Sequence, residues 1–555
     1  MNVEVKAFDV DATGESLLAM GVTDQEGNYE LCFPGLEEDG TGQDVVVAFL
    51  TENNLWALRR TGSTVTGAGT GTTSTPEDRV FEWGSEVQQN VSGDLNLGVG
   101  FPAEAADNIA LETFDIVNDV ALWRVAADCW DEKDTVCQQL VLYWSPSSTE
   151  GTAYTMWDNA IHLGGSHGGD RFAVAHESAH AIMDMATRVH DDPSDHTDVM
   201  ETAGLGCPGV HYPSNASRVQ CAWLEGFADW VPLSVYPHLA NEGFQFESRT
   251  WGTPGWDNGL AVEGRVAGAL LDLEDAHQDG YWDRSSEGMA HIWYTMQHHP
   301  NATFNDFWNA RGDDGFDTTS SSVLSTLFQN TIDMGFRDPL TADIPVSRPV
   351  AVTPHNFRFD PVRRGWSVIA VRPKDTDHDL RLFDDSIQSS LLGESNMAGS
   401  SEVDFVALDS GPGRRPLGDY YPRVPTAGAG TGKYDIEFAE APTAPLVAER
   451  FRAVPMMPGD VASVFNFSLT GERVTVTLTP REENQNGDLY VMCSTGDSGT
   501  WVANRAHNVA RANTLGPGAV ERVTFRASGS CAAVVINKVG KGTYDLLLHV
   551  VAPTS

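Results

Sequence analysis

Between residues 170 and 186 apolar side chains return at helical spacing: Phe172, Ala175, Ala179, Ile182, Met183 and Ala186. That period predicts a helix with one buried stripe. Neither Pro nor Gly interrupts it, and Asp170, following Gly168-Gly169, is placed as its N-cap. Similar periodicity marks residues 114–127, 223–231, 260–276, 288–298 and 303–311, the second of these expected to stop at Pro232. On either side the period drops to two. Residues 3–8, 23–31 and 44–50 read as strands parted by Asp/Gly turns, predicting a small β-sandwich over 1–100. Residues 61–76, rich in Gly, Thr and Ser, read as a flexible loop. Residues 153–163 read as strands just ahead of the 170–188 helix.

Beyond Asp338 a Pro-rich stretch, 339–354, leads into two all-β segments that resemble each other. Asn356-Phe357-Arg358-Phe359 matches Asn466-Phe467-Ser468-Leu469, Asp379-Leu380-Arg381-Leu382 matches Asp488-Leu489-Tyr490-Val491, and Gly432-Lys433-Tyr434-Asp435-Ile436 matches Gly542-Thr543-Tyr544-Asp545-Leu546. A nearly constant offset of domain size predicts a duplicated module, at 345–445 and 450–555. The D-L-x-L and closing G-x-Y-x-L strands resemble the bacterial pre-peptidase C-terminal domain, a β-sandwich that trails many secreted peptidases. At the other end, the T-D-x-x-G-x-Y-x-L run from Thr23 resembles the prealbumin-like or carboxypeptidase-regulatory-like modules of secreted proteins.

A chain of 555 residues exceeds what one core can organise, and no run of about 18 apolar residues is present to span a membrane. The net charge of −43 excludes nucleic acid as a partner, because phosphates are repelled. Only Lys6, Lys133, Lys374, Lys433, Lys538 and Lys541 carry ammonium groups, which suits a salty or extracellular setting or a GC-rich genome. Six of seven cysteines fall into pairs within single expected domains: Cys129 with Cys137, Cys207 with Cys221, and Cys493 with Cys531; Cys32 is left over. Disulfides of that kind predict a secreted or cell-surface protein. The chain enters a strand-like pattern from Met1, and the expectation is a start trimmed of its export signal.

The chemistry concentrates in His176-Glu177-Ser178-Ala179-His180. On a helix, positions i and i+4 share a face, so both imidazoles reach one metal ion while Glu177 stands beside it as a general base. A catalytic zinc needs a third protein ligand. Met183 and Ala186 occupy the positions where a metzincin has Gly and His, and no G-T-x-D stands between His180 and Asp338 for an aspzincin, Gly542-Thr543-Tyr544-Asp545 belonging to the second C-terminal module. Trp223-Leu224-Glu225-Gly226-Phe227-Ala228-Asp229-Trp230 resembles the E-x-x-x-D arrangement of thermolysin-like enzymes and the N-E-G-F-A stretch of gluzincin aminopeptidases. This resemblance to gluzincin-type, secreted bacterial or archaeal zinc metallopeptidases implies zinc on His176, His180 and Glu225, Glu177 as general base, and Asp229 orienting a ligand imidazole. It also implies that the strand before the active helix is an open edge for an extended substrate. The spacing departs from the family: 44 residues separate His180 from Glu225, with His190, His196, Glu201 and His211 as competing ligands in between. His291, Tyr294 and Tyr281 are the candidates for stabilising an oxyanion. His162 and His167 read as surface or edge residues.

The expected architecture is multidomain. An α+β zincin-like catalytic domain, 101–338, is flanked by the N-terminal β-sandwich, 1–100, and the two C-terminal β-sandwich modules. The expected activity is zinc-dependent hydrolysis of peptide bonds in a peptide or protein substrate, most simply as an endopeptidase. An aminopeptidase remains an alternative, although no G-x-M-x-N stands upstream, and so does a non-catalytic adhesion protein on a zincin scaffold. Calcium is a second candidate metal. Asp272, Asp275, Asp279, Gly280 and Asp283 cluster in sequence, as do Asp191, Asp192 and Asp195. Neither has EF-hand spacing, so both are expected to be solvated acidic loops.

Overall fold

The computed structural model describes residues 2–60, 79–123, 139–188, 207, 212–246, 253–349, 354–425 and 432–551, apart from positions 13, 38, 39, 157, 244, 254, 496, 514 and 515. The loop read at 61–76, Cys129, Cys137, His190, His196, Glu201, His211 and the Asp191–Asp195 acidic run lie outside the described residues. The chain divides into two units, one of residues 1–249 and 258–332, the other of residues 250–257 and 333–555.

The first unit opens with strands β1 (Glu4–Asp11), β2 (Gly14–Val22) and β3 (Gln43–Leu50), joined by β5 (Glu82–Gly84) and β6 (Gln88–Val91) in one antiparallel sheet. Alternation puts Val5, Ala7, Val45 and Val47 on its inner face. A second sheet was expected to cover them. Instead Tyr29, Leu31 and Phe33, from a stretch outside any strand, pack there. The expected strand at 23–31 fails because Asp24 accepts from the backbone N–H of Glu26 and Asn28 and folds the chain into a turn.

Strand β4 (Trp56–Arg60) belongs elsewhere. It runs parallel to β7 (Leu140–Trp144), which runs parallel to β9 (Ala160–His162), and β8 (Ala153–Thr155) closes the sheet as an antiparallel edge. The expected boundary at residue 100 therefore does not follow the sheet pairing, since the segment before it supplies a strand to the helical part.

Among the described residues the unit also has helices α1 (Ala105–Trp123), α2 (Arg171–Arg188), α3 (Val219–Val235), α4 (Glu263–Glu274), α5 (Met289–His298), α6 (Phe304–Asp313) and α7 (Ser321–Gln329). Asp170 caps α2 as expected, accepting from the N–H of Ala173 at 3.1 Å. Helix α3 does not stop at Pro232 but continues to Val235. Proline removes one hydrogen bond in the final turn, and burial of the surrounding turns outweighs that loss. Helix α7, not among the expected helices, buries Val323, Leu327 and Phe328 at helical spacing, and Ser320 caps it by accepting from Val323.

In the second unit two five-stranded sheets enclose a core of Phe357, Val371, Leu382, Tyr434 and Phe438. A six-stranded sheet built on Ala462–Pro480 and Glu521–Val539 follows. The duplicated motifs fall on equivalent strands, but the modules are not separate bodies. Val502–Asn504 of the second pairs antiparallel with Asp404–Asp409 of the first. Trp366, Phe405, Val464, Tyr490 and Val534 form one core across the junction.

Candidate metal centre

Helices α2 and α3 bring the chemistry together. Along α3 every residue from Cys221 to Leu233 is buried, because the helix is packed among α1, α2, α4 and α6. Trp223 stacks on Phe307 with ring centres 5.0 Å apart and donates its indole N–H to the carbonyl of Asn301. Trp230 meets Trp123 edge-on and donates to Glu274. Gly226 is the point where α3 and α4 touch: a β-carbon there would lie 2.6 Å from the Cβ of Val266 and 2.7 Å from the carbonyl oxygen of Glu263. A helix buried this completely carries carboxylates only where they have partners, and Glu225 and Asp229, one turn apart, both face α2.

The structure places His180 Nε2 at 3.2 Å from His176 Nε2 and 3.2 Å from Glu225 Oε2, and His176 Nε2 at 3.3 Å from the same oxygen. Three donor atoms thus form a nearly equilateral triangle. Tetrahedral zinc with bonds of about 2.0–2.1 Å holds its ligands about 3.3 Å apart, so the donor set fits that ion. The far nitrogen of His176, Nδ1, lies 3.0 Å from Asp229 Oδ1. With the proton on Nδ1, the lone pair of Nε2 points to the centre of the triangle. Phe172 stacks on the same ring, at 5.9 Å between centres, and further limits its rotation.

Electrostatics agree with a cation at this focus. Burial opposes a charge on His176, but the Asp229 and Glu225 carboxylates outweigh burial and hold its pKa well above the ordinary value. Burial likewise pushes Glu225 up, but the His180 and His176 rings hold it well below the usual carboxylate range. Burial raises Asp229 to about 8 against the His176 hydrogen bond, with the Glu263 carboxylate behind it adding to the rise. Buried groups with this balance favour one positive charge between them, and a metal ion competes with the proton for that place.

Glu177 stands beside the triangle with its Oε2 accepting from the backbone N–H of Tyr154 at 2.7 Å. The phenol of Tyr154 donates to Asp184, one turn beyond His180. Sequence reasoning missed this tie between edge strand and active helix. Its only signal was Asp184 at i+4 from His180 on an otherwise apolar stripe. Cys207 and Cys221 form the expected disulfide, which fastens the start of α3 four residues before Glu225, and Cys493 and Cys531 form another. Cys32 is a free, exposed thiol.

The three oxyanion candidates are engaged with other partners. His291 stacks on Phe316 at 4.2 Å and bonds to Glu287, Tyr294 stacks on His298 at 3.8 Å, and Tyr281 lies against Trp282 and Arg284. His162 bonds to Asp158 at 3.0 Å and His167 to Thr152, as residues outside the site.

Residues 123–331 match the family described as the Mycolysin C-terminal domain. The likeness is to a peptidase-associated domain, and the matched span contains the three converging donors, Glu177 and Asp229. No curated protein matches the chain. Among solved structures, the pre-peptidase C-terminal domain of collagenase from Bacillus anthracis aligns with 19% of this chain and 99% of its own, at 16% identity and a TM-score of 0.15. A putative secreted protein from Eubacterium rectale aligns with 37% of this chain and 74% of its own, at 12% identity and a TM-score of 0.13. Likeness at those scores carries no argument. Among the described residues no helix is long and apolar enough to cross a membrane.

Proposed function

We propose that the protein is a zinc-dependent peptidase of the gluzincin type that works outside the cell. His176, His180 and Glu225 hold the metal, Glu177 is the general base, and Asp229 orients His176. The observation that carries this reading is the triangle of two imidazole nitrogens and one carboxylate oxygen with 3.2–3.3 Å sides. The match of residues 123–331 to a peptidase-associated domain and the two disulfides support it.

Bound there, zinc supplies Lewis acidity, which lowers the pKa of a water and polarises a carbonyl. The rest falls to the chain itself. Glu177 takes a proton from the attacking water and returns it to the departing amine. The Tyr154 N–H fixes its carboxylate meanwhile. Asp229 keeps the proton of His176 on Nδ1. Among the described residues strand β8 is the last strand of its sheet, so an extended peptide can lie along it beside Glu177, which holds the Tyr154 N–H itself. That open edge next to the base favours a peptide over a small ester or amide.

The test is metal analysis of the purified chain together with digestion of a peptide library. One zinc per chain, cleavage lost on chelation and cleavage restored by zinc are expected. A chain carrying stoichiometric zinc that leaves both the library and unfolded proteins intact would overturn the proposal.

A further inference from the structure

Asp272 lies in the last turns of α4, and Asp279 and Asp283 in the loop that follows; one oxygen from each falls within 4.8 Å of the others. The expectation of a solvated acidic loop fails here. Asp272 is fully buried and Asp283 is only 3% exposed. The loop is stitched to α7, with Gln329 accepting from the N–H of Trp282 and Thr326 from those of Arg284 and Ser285, and its carboxylates are turned inward. Neither oxygen of Asp279 meets a hydrogen-bond donor, nor does Oδ1 of Asp283.

A second observation points the same way. Asn330, at the C-terminus of α7, is fully buried. Its Nδ2 donates to Asp272 Oδ2 at 2.7 Å, which fixes the orientation of the amide. Its Oδ1 shares a carbon with that nitrogen, so it is held at the same place, and it too meets no donor. The two oxygens of Asp279, Oδ1 of Asp283 and Oδ1 of Asn330 are buried polar atoms that meet no donor, which is costly unless a cation lies among them. Burial raises both Asp279 and Asp283 to about 6; the Asp275 carboxylate adds to both and the Asp279 carboxylate to Asp283, while the His277 and Arg265 charges oppose the rise at Asp279 and hydrogen bonds oppose it at Asp283, so both are ionised at neutral pH.

We propose that Asp272, Asp279, Asp283 and the side-chain carbonyl of Asn330 bind a calcium ion that clamps the loop after α4 onto α7. The donors are all oxygen, which selects a hard cation. Calcium takes oxygens at about 2.3–2.6 Å, so two ligands on opposite sides of it stand about 4.8 Å apart, and the observed cluster fits within that span. The site is distinct from the zinc centre and does not depend on the hydrolytic reading. It does bear on α3, because Glu274 at the end of α4 accepts from Trp230 and from Ser234.

The experiment uses the full chain, passed over a chelating resin. Terbium is added and its emission sensitised by Trp282, next to Asp283, and calcium is then titrated against it. Melting is recorded with no addition, with millimolar calcium and with millimolar magnesium. We expect terbium emission that calcium displaces, and a rise in melting temperature with calcium that magnesium does not match. Asp279→Asn and Asp283→Asn each weaken calcium binding by about tenfold or more, yet melt no lower than wild type without calcium, since each removes a like charge. Absence of both terbium emission and a calcium-dependent melting shift in the wild type would overturn the site. So would a calcium shift undiminished in both variants, which would assign the ion to another acidic loop.

Discussion

Replacing Glu225 with alanine separates this site from every alternative ligand set, and the size of the effect follows from the geometry. Glu225 Oε2 is the one anionic donor in the triangle, at 3.2 and 3.3 Å from the two imidazole nitrogens. Its pKa lies well below the ordinary carboxylate value, so no proton competes for it at neutral pH. Alanine leaves two neutral nitrogens and removes the charge that offsets the metal. Asp229 acts at one remove, through Nδ1 of His176. A group that only orients a ligand is worth about 10–100-fold in metal affinity, or about 1.4–2.7 kcal/mol. Asp229→Asn is placed near the lower end of that range, since the amide oxygen can still accept from His176 and the lost charge also lowers the competing proton's affinity. Glu225→Ala must exceed the upper end. The assay is competition for zinc with a chromophoric chelator at fixed pH, with near-ultraviolet circular dichroism of the tryptophans on α3 as the check on folding. His196→Ala and His211→Ala are the controls for the competing ligands between His180 and Glu225 and should bind zinc as the wild type does. If Glu225→Ala binds within about threefold of wild type while one histidine control loses more than 100-fold, the assignment fails and only the H-E-x-x-H helix survives.

Glu177→Gln keeps the shape of the base and its bond from Tyr154 but cannot take a proton; zinc content should be unchanged and kcat/KM should fall by about 10²–10⁴-fold, and a variant cleaving at the wild-type rate refutes the role. Gly226→Ala sets a helix-propensity gain of about 1 kcal/mol against overpacking of about 1–3 kcal/mol where α3 meets α4, and with backbone 2.7 Å from the new carbon the overpacking wins, so urea titration should show net destabilisation. His355 carries the pH prediction: burial, then the charges of Arg348 and His378, lower it to about 3, so the folded state refuses a proton that the unfolded chain accepts below about 6.5. The stability this gives is intact above pH 6.5 and is lost as pH falls toward 3, by about 2 kcal/mol at pH 5. His355→Gln should remove that part of the pH slope in the unfolding transition of the C-terminal unit, and an unchanged slope would show that other groups carry it.

The parts of the site that were readable from the chain are those whose geometry is local. His176 with His180 and Glu225 with Asp229 are each one helical turn apart, and a helix turns any such pair to one face whatever surrounds it. That α3 and α2 then meet face to face is not local. Its signal in the chain is Trp223, Phe227 and Trp230, which demand burial on a helix that also carries two carboxylates. Where the expectation failed, a partner distant in sequence decided. Trp56–Arg60 lies within the span expected to form the N-terminal sandwich, and only its parallel register with Leu140–Trp144, across more than 80 residues, places it in the sheet beside α2. Thr23–Leu31 has the alternation of a strand, yet one short side chain, Asp24, offers the backbone a turn that competes with the ladder. The acidic loop was misread for a related reason. Asp279 and Asp283 look solvated in a chain of net charge −43, and charge alone cannot reveal that Gln329 and Thr326 draw the loop's backbone against α7 and turn its carboxylates inward. Buried charge is therefore the feature that sequence conceals and structure exposes. Among the described residues, one such cluster gathers two histidine nitrogens with a carboxylate and another gathers oxygens alone, and it is this difference in donors that leads us to propose a different kind of metal ion for each.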